Sequence, residues 1–257
     1  GGEPSEARLE RNLEALDYYS VGYYGFDKHR ERFDIEEHPN EINRFGWVVE
    51  YDPRRPDSTP KKRTALGRFK HECATVTMNS DGRIVLYSGD DEEHEHLYKW
   101  VSRREYDPTD RRSNFSLLDE GVLYAAEFHG DGRVEWHPLV HGEGPLTPSN
   151  GFQSQADVLI ETRRAARLLG ATPLDRPEDV ETNPQTGRVY VTLTNNLERS
   201  ETGPASPRAP NVHGHVVELI PPYGARNHAA DTFRWRYFVL GGEPDVSDSD
   251  TRYHEDV

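Results

Sequence analysis

Two similar segments of the sequence place acidic and amide side chains where a folded hairpin would gather them. In the first, Glu72 opens an apolar strand pattern, a turn ends at Gly82, and Asp90-Asp91 closes the returning strand. In the second, Glu178-Asp179 and Asn195-Asn196 occupy the matching positions. An antiparallel hairpin brings the start of its first strand and the end of its second to one edge. We therefore expect each closing pair to lie beside the acidic residue that opens its hairpin.

This arrangement favours binding of a hard cation. If the two hairpins are neighbours around one axis, their carboxylate and amide oxygens converge, and mutual repulsion disfavours ionising the carboxylates together. Calcium takes about six to eight oxygen ligands and suits such a set. The geometry makes Asp90, Asp91 and Asp179 candidate metal ligands.

The segment Asp175-Arg176-Pro177-Glu178-Asp179 adds an arginine two residues before a carboxylate of this kind. A guanidinium group beside a cation is a bidentate binder of phosphate. Phosphoryl transfer needs this combination, because metals neutralise the phosphate oxygens and a guanidinium stabilises developing charge. Arg-Pro-Glu alone is also an ordinary surface turn, so the repeat gives the motif its weight. Arg176 is the candidate catalytic residue.

Two neighbouring features are interpreted as structural. The acidic, histidine-rich run at residues 92–96 has the residue types of a metal site, but we interpret it as a solvated loop. Cys73, the single cysteine, lies in an apolar strand pattern, which is typical of a buried, inert thiol. One cysteine also excludes an intrachain disulfide.

The elements that must position these residues are short antiparallel strands. Alternating patterns at residues 73–78, 83–88, 97–102, 121–128, 188–194 and 232–240 are separated by glycine-containing turns. The repeated strand–turn–strand unit favours an all-β fold, a β-propeller, over a sandwich. One helix is predicted from an N-cap at Ser154 to Gly170, and we expect it to cover one end of the propeller.

Composition excludes several partners. The formal charge of −15 argues against binding to a nucleic-acid backbone. No run approaches the roughly 20 apolar residues that span a bilayer, so no membrane association is predicted. The acidity fits either adaptation to high salt or a cation-binding face, and composition leaves both open.

Six ordered blocks of the sequence resemble the PhoX-type alkaline phosphatases. They occupy residues 43–50, 64–72, 87–91, 118–124, 175–181 and 192–196 and include Lys70-His71-Glu72 and Arg176-Pro177-Glu178. The resemblance implies a secreted or periplasmic, six-bladed propeller phosphatase that acts on small phosphate esters with calcium and iron. It implies that Glu72 and Glu178 bind metal and that Arg176 holds the substrate phosphate. We expect a monomer.

Departures from the family pattern are equally specific. The iron-ligating cysteine of the family belongs to a block upstream of the first matched one, and Cys73 lies in a different block. We therefore expect residues 1–257 to form one partial propeller domain, truncated at both ends and inactive alone, whereas the full-length parent hydrolyses phosphate monoesters. The alternatives are another calcium-dependent propeller hydrolase, such as a lactonase or a phytase, and a non-enzymatic binding propeller. A phosphate-binding role of Arg176 discriminates among them.

Overall fold

The computed structural model describes residues 7–8, 10–11, 24–242 and 252–253. Its contacts divide the chain into two units, Gly1–Trp47 and Val48–Val257. In the described part of the first unit, three single 3-10 turns occur at Phe26–Lys28, Glu31–Phe33 and Glu41–Arg44. The second unit contains the strands and all the residues predicted to do chemistry. The prediction of one domain over residues 1–257 stays a prediction.

The regular structure of the second unit is mainly antiparallel strand, as predicted. Their bounds are β1 Val49–Glu50, β2 Lys61–Lys62, β3 Thr75–Met78, β4 Arg83–Gly89, β5 Leu97–Glu105, β6 Gly121–Phe128, β7 Arg133–Pro138, β8 Pro177–Thr182, β9 Val189–Leu193, β10 His215–Ile220, β11 Thr232–Leu240 and β12 Arg252–Tyr253. One sheet has the order β3-β4-β5-β6-β7-β11-β10-β9-β8, with β12 added to β11, while β1 and β2 pair separately. The result is an all-β, propeller-like fold.

The sheet nearly closes on itself, because its two ends approach each other. Gly89, at the end of β4, lies so close to β8 that an added Cβ would be 2.3 Å from the carbonyl oxygens of Pro177 and Glu178. Only a glycine permits this approach of two backbones. The ends of β4 and β8 therefore meet at one edge of the unit.

The two repeated hairpins form as the sequence predicts. In the β3–β4 turn, Gly82 has a φ of 85° and its N–H donates to the Asn79 carbonyl at 3.0 Å. In the β8–β9 turn, Asn183 Oδ1 accepts from the N–H groups of Gln185 and Thr186, and Gly187 has a φ of 72°. Both glycines occupy the left-handed region that side chains disfavour. Each turn returns the second strand of its hairpin to the edge at which the first strand began.

Within the described part of the second unit, three short helices accompany the sheet: α1 Arg111–Asn114, α2 Gln155–Ile160 and α3 Thr162–Leu168. The segment Pro222–Ala225 is a left-handed turn, with a φ of 56° at Tyr223 and 66° at Gly224. The predicted helix begins as expected, since the Ser154 side chain accepts from the Asp157 N–H. It is not continuous, because Glu161, with φ −101° and ψ 44°, separates α2 from α3. The fully buried Thr162 hydroxyl explains the break: it donates to the Leu159 carbonyl at 2.7 Å and accepts from the Arg68 N–H at 3.0 Å.

Two groups of apolar side chains form the core. Val134, Trp136 and Phe233 belong to the group enclosed by the sheet. Trp100, Leu123 and Val158 belong to the group that packs against α2 and α3. No helix among the described residues is long and apolar enough to span a membrane.

Candidate active site

The guanidinium group of Arg176 lies at the edge where β4 and β8 meet, among three oxygen-bearing side chains. Its Nη1 donates to Asn195 Oδ1 at 2.9 Å, and its Nη2 donates to Asp91 Oδ2 at 3.1 Å. Its Nε lies 2.9 Å from Asp91 Oδ1, and Nη2 lies 3.4 Å from Glu178 Oε1. These contacts join the ends of β4 and β9 to the start of β8. We call Glu72, Asp91, Arg176, Glu178 and Asn195 the arginine cluster.

The backbone of Arg176 is held in an unusual conformation. Its φ of 52° is left-handed, which costs a residue other than glycine about 1–2 kcal/mol. The preceding residue is anchored: the Asp175 carboxylate is fully buried, forms an ion pair with Arg199 and accepts from Asn211 Nδ2 at 2.9 Å. Such conformations persist where surrounding structure imposes them, and they concentrate at functional sites.

Glu72 completes the arginine cluster from the start of the first hairpin. Its N–H donates to the Gly89 carbonyl at 3.2 Å, while the Asp91 N–H donates to the Lys70 carbonyl at 3.1 Å. Burial raises the pKa of Glu72, and the charges of Asp91 and Glu178, with a hydrogen bond to Asp91, raise it further. The carboxylates thus repel one another and compete for Arg176.

Arg176 keeps its positive charge in this setting. Burial disfavours the charge, but the hydrogen bond with Asp91 and the charges of Asp91, Glu178 and Glu93 outweigh burial and raise its pKa. About 30% of its side chain is exposed to solvent. A phosphate group can therefore reach a permanently charged, bidentate donor.

The structure does not bring Asp90 and Asp179 into the arginine cluster. Asp90 is fully buried and receives two hydrogen bonds from Arg163, at 2.8 Å from Nε and 2.6 Å from Nη2. Asp179 is exposed, and its Oδ1 accepts from the Val180 N–H at 3.0 Å. Successive side chains of a strand point to opposite faces. Each predicted acidic pair is therefore split, with one member in the cluster and the other outside it.

The interpretation of residues 92–96 as a solvated loop is wrong for two of its members. Glu95 is 2% exposed and pairs with Arg167, and burial raises its pKa to about 7. His96 is 1% exposed, its Nδ1 bonds with the Thr172 carbonyl at 3.0 Å, and burial lowers its pKa to about 4. The arginine partners of Glu95 lie on α3, which the local sequence does not reveal.

Glu93 belongs to the same acidic run, and its negative charge contributes to the raised pKa of Arg176. An isolated bridge joins Glu93 to Asp175, the residue before Arg176. Burial raises the pKa of Glu93, and a hydrogen bond with Glu92 adds to this effect. Its position within an acidic run was the only signal in the sequence.

The donor atoms of the arginine cluster fit a hard cation. They are carboxylate and amide oxygens, which calcium prefers. Burial raises the pKa of Cys73, which favours the neutral thiol, and its Sγ lies 3.6 Å from the Glu178 carbonyl oxygen. Within the described residues, three ligand atoms lying mutually within 4.8 Å occur at Glu127, His129 and Glu135, and not in the arginine cluster.

A groove of about 610 Å³ lies away from the arginine cluster. Arg133, Arg188, Phe233 and Arg234 help to line it, and none of its lining residues belongs to the cluster. Volume alone does not provide the convergent carboxylates that metal-assisted chemistry requires. We therefore place the candidate site at Arg176.

A family model described as alkaline phosphatase PhoX matches residues 7–256. The chain belongs to the PhoX alkaline phosphatase family. A solved structure of Pseudomonas fluorescens PhoX, in complex with vanadate, a transition state analogue, is similar to this chain with a TM-score of 0.89 and 41% identity. The comparison covers 96% of this chain and 45% of that chain, so this PhoX family chain spans less than half of that structure. No curated protein matches.

Membership in the PhoX family confirms the resemblance inferred from the six sequence blocks. The structural similarity also supports the propeller-like arrangement of the sheet. Within this PhoX-type fold, the arginine cluster brings one guanidinium group and several carboxylates together.

Proposed function

We propose that the protein containing this chain hydrolyses phosphate monoesters and that Arg176 binds the phosphoryl group. One observation carries the proposal: a charged, partly exposed guanidinium is held among carboxylates at the edge where two hairpins meet. The vanadate complex of Pseudomonas fluorescens PhoX supports the same chemistry, because that protein binds a transition state analogue.

Each residue of the arginine cluster has a separate task in this proposal. Arg176 donates two N–H groups to phosphoryl oxygens and stabilises the negative charge that grows on them during transfer. Asn195, now accepting from Nη1 at 2.9 Å, orients the guanidinium. Phosphate binding would displace the contact with Asp91, which frees that carboxylate for a metal ion.

Glu72, Asp91 and Glu178 would hold the metal. When bound, a metal ion supplies Lewis-acid stabilisation of the phosphoryl oxygens and a site for activating water. Calcium fits the oxygen donors of the cluster, whereas iron is proposed from the family resemblance alone. Metal ligation by Asp90 would require its buried carboxylate to leave Arg163.

The partners and location follow the same proposal. The net charge of −15 supports small phosphate esters over nucleic acids. A monomeric, secreted or periplasmic protein is proposed from the family resemblance.

The experiment compares the full-length protein with its Arg176→Ala variant, using a chromogenic phosphomonoester and vanadate inhibition. We expect kcat/KM to fall by about 10²-fold or more and vanadate inhibition to weaken, with the calcium and iron contents unchanged. Arg54→Ala, at an exposed loop position, is the control and should match the wild type. Chelation should abolish wild-type activity. Undiminished hydrolysis by Arg176→Ala would refute the assigned role.

A further inference from the structure

The β6–β7 hairpin carries the same Glu-x-His pattern on both of its strands. The two copies are Glu127-Phe128-His129 and Glu135-Trp136-His137. Glu127 lies directly opposite Glu135 in the strand register. The central residues of both copies, Phe128 and Trp136, are buried in the sheet core. Because side chains alternate along a strand, both glutamates and both histidines lie on the other face of the hairpin.

The distances among these four side chains approach those of a metal site. His129 Nε2 lies 3.8 Å from Glu127 Oε2 and 3.6 Å from Glu135 Oε2. His137 Nε2 lies 2.6 Å from Glu127 Oε2. Tetrahedral ligands bound at about 2.0–2.1 Å are about 3.3 Å apart. Glu127, His129 and Glu135 offer ligand atoms within 4.8 Å of one another, so small side-chain rotations would bring these three onto one ion. His137 adjoins them through its contact with Glu127.

Two features of the hairpin are poorly satisfied by protein groups alone. Like charges directly opposite each other in antiparallel strands are destabilising, and Glu127 and Glu135 form such a pair. Arg133 Nη1 donates to Glu135 Oε2 at 2.9 Å and offsets part of this repulsion. It does not supply a hydrogen-bond partner for His129. The Nε2 atom of His129 is shielded from solvent and has no such partner among the described residues. A cation between these side chains would satisfy both features.

We propose that Glu127, His129, Glu135 and His137 bind a divalent transition metal ion of the zinc type. Two imidazoles and two carboxylates suit zinc, whereas calcium takes a larger set of oxygen ligands. The four residues share no member with the arginine cluster. They lie on strands in the middle of the sheet order, while β3, β4, β8 and β9 stand at its ends.

The proposed ion stabilises a weak part of the sheet. β7 joins β11 through only three residue pairs, Thr232↔Glu135, Phe233↔Val134 and Arg234↔Arg133. One of these pairs contains Glu135, so the ion fixes the hairpin where the two halves of the sheet meet. Its role is structural, and phosphate-ester hydrolysis does not require it.

The test uses the full-length protein, stripped with a chelator, reloaded with Zn²⁺ alone and desalted. The His129→Gln/His137→Gln double variant should retain about one zinc equivalent less than the wild type by elemental analysis. The control is His213→Gln, at an exposed histidine outside the hairpin, and it should bind as much zinc as the wild type. Equal zinc contents in all three proteins would overturn the proposal.

Thermal unfolding of Glu135→Gln gives an independent measurement. Without metal, this variant should differ little in stability from the wild type, because the substitution removes both the repulsion with Glu127 and the ion pair with Arg133. Its stabilisation by Zn²⁺ should be smaller than that of the wild type, and an undiminished zinc effect would contradict the site. Phosphatase activity with the native metals should be unchanged in all these variants, so the outcome is independent of the proposed function.

Discussion

Gly89 lies where the backbone of β4 approaches β8, and replacing it with alanine tests how the candidate site is assembled. The added Cβ would lie 2.3 Å from the carbonyl oxygens of Pro177 and Glu178, whereas ordinary contact begins at 3.4 Å. Both obstructing atoms belong to the backbone, so no flexible side chain can yield. The strands must separate by about 1 Å to accept the methyl group.

This separation should affect both stability and activity. Overpacking of this kind costs about 1–3 kcal/mol of unfolding free energy. The displaced backbone carries Glu178 directly and follows Arg176, while Gly89 itself is two residues from Asp91. A displacement of about 1 Å in a catalytic arrangement lowers turnover by about 10²-fold.

The assay is urea unfolding of the full-length protein together with hydrolysis of a phosphomonoester at saturating concentration. Gly203→Ala is the matched control, because nothing lies within 4 Å of a Cβ placed there. We expect that variant to remain within about 0.5 kcal/mol of the wild type and to retain full activity. A Gly89→Ala protein with wild-type stability and turnover would show that the two strands do not meet as described.

Two further predictions concern buried charged and titratable groups. Asp90→Asn should lower the unfolding free energy by about 3 kcal/mol, because it removes the buried negative charge that is hydrogen-bonded to Arg163. Urea unfolding measures this loss, and Asp81→Asn, which weakens an exposed pair with Arg83, should cost less than about 1 kcal/mol. For His96, the folded-state pKa of about 4 lies below the ordinary 6.5, so the unfolded state binds more protons between these values. The unfolding free energy should therefore fall as pH decreases through this window, and His96 should account for up to about 3 kcal/mol of the loss. A His96→Gln variant whose unfolding midpoint has the same pH dependence as the wild type would contradict this cause.

The local features of the hairpins were predictable from sequence. Turns that end at Gly82 and Gly187 need left-handed backbone, and the flanking strands alternate in hydrophobicity, so both hairpins could be recognised. Hairpin geometry then placed Glu72 near Asp91 without knowledge of the rest of the fold. These predictions depended on residues close together in the chain, where backbone chemistry is decisive.

The parts that sequence could not predict depend on distant partners. Whether Asp90 or Asp91 faces Arg176 depends on strand register, and Asp90 is paired with an arginine 73 residues later in the chain. Between Pro177 and Val180 the register of β8 against β9 shifts, and the local sequence does not reveal this shift. Glu95 and His96 are buried by α3 and by Thr172, contacts that composition does not reveal.

The meeting of the two sheet ends also has a consequence for the order of folding. The turns of the two repeated hairpins close short loops, whereas the contact between Arg176 and Asp91 joins residues 85 positions apart. Contacts of long sequence separation carry a larger loop-closure entropy and form slowly. Arg176 should therefore acquire its neighbours late, after the individual hairpins exist. With Arg176 binding the phosphoryl group as proposed, vanadate inhibition of the refolding full-length protein would recover later than β-sheet circular dichroism.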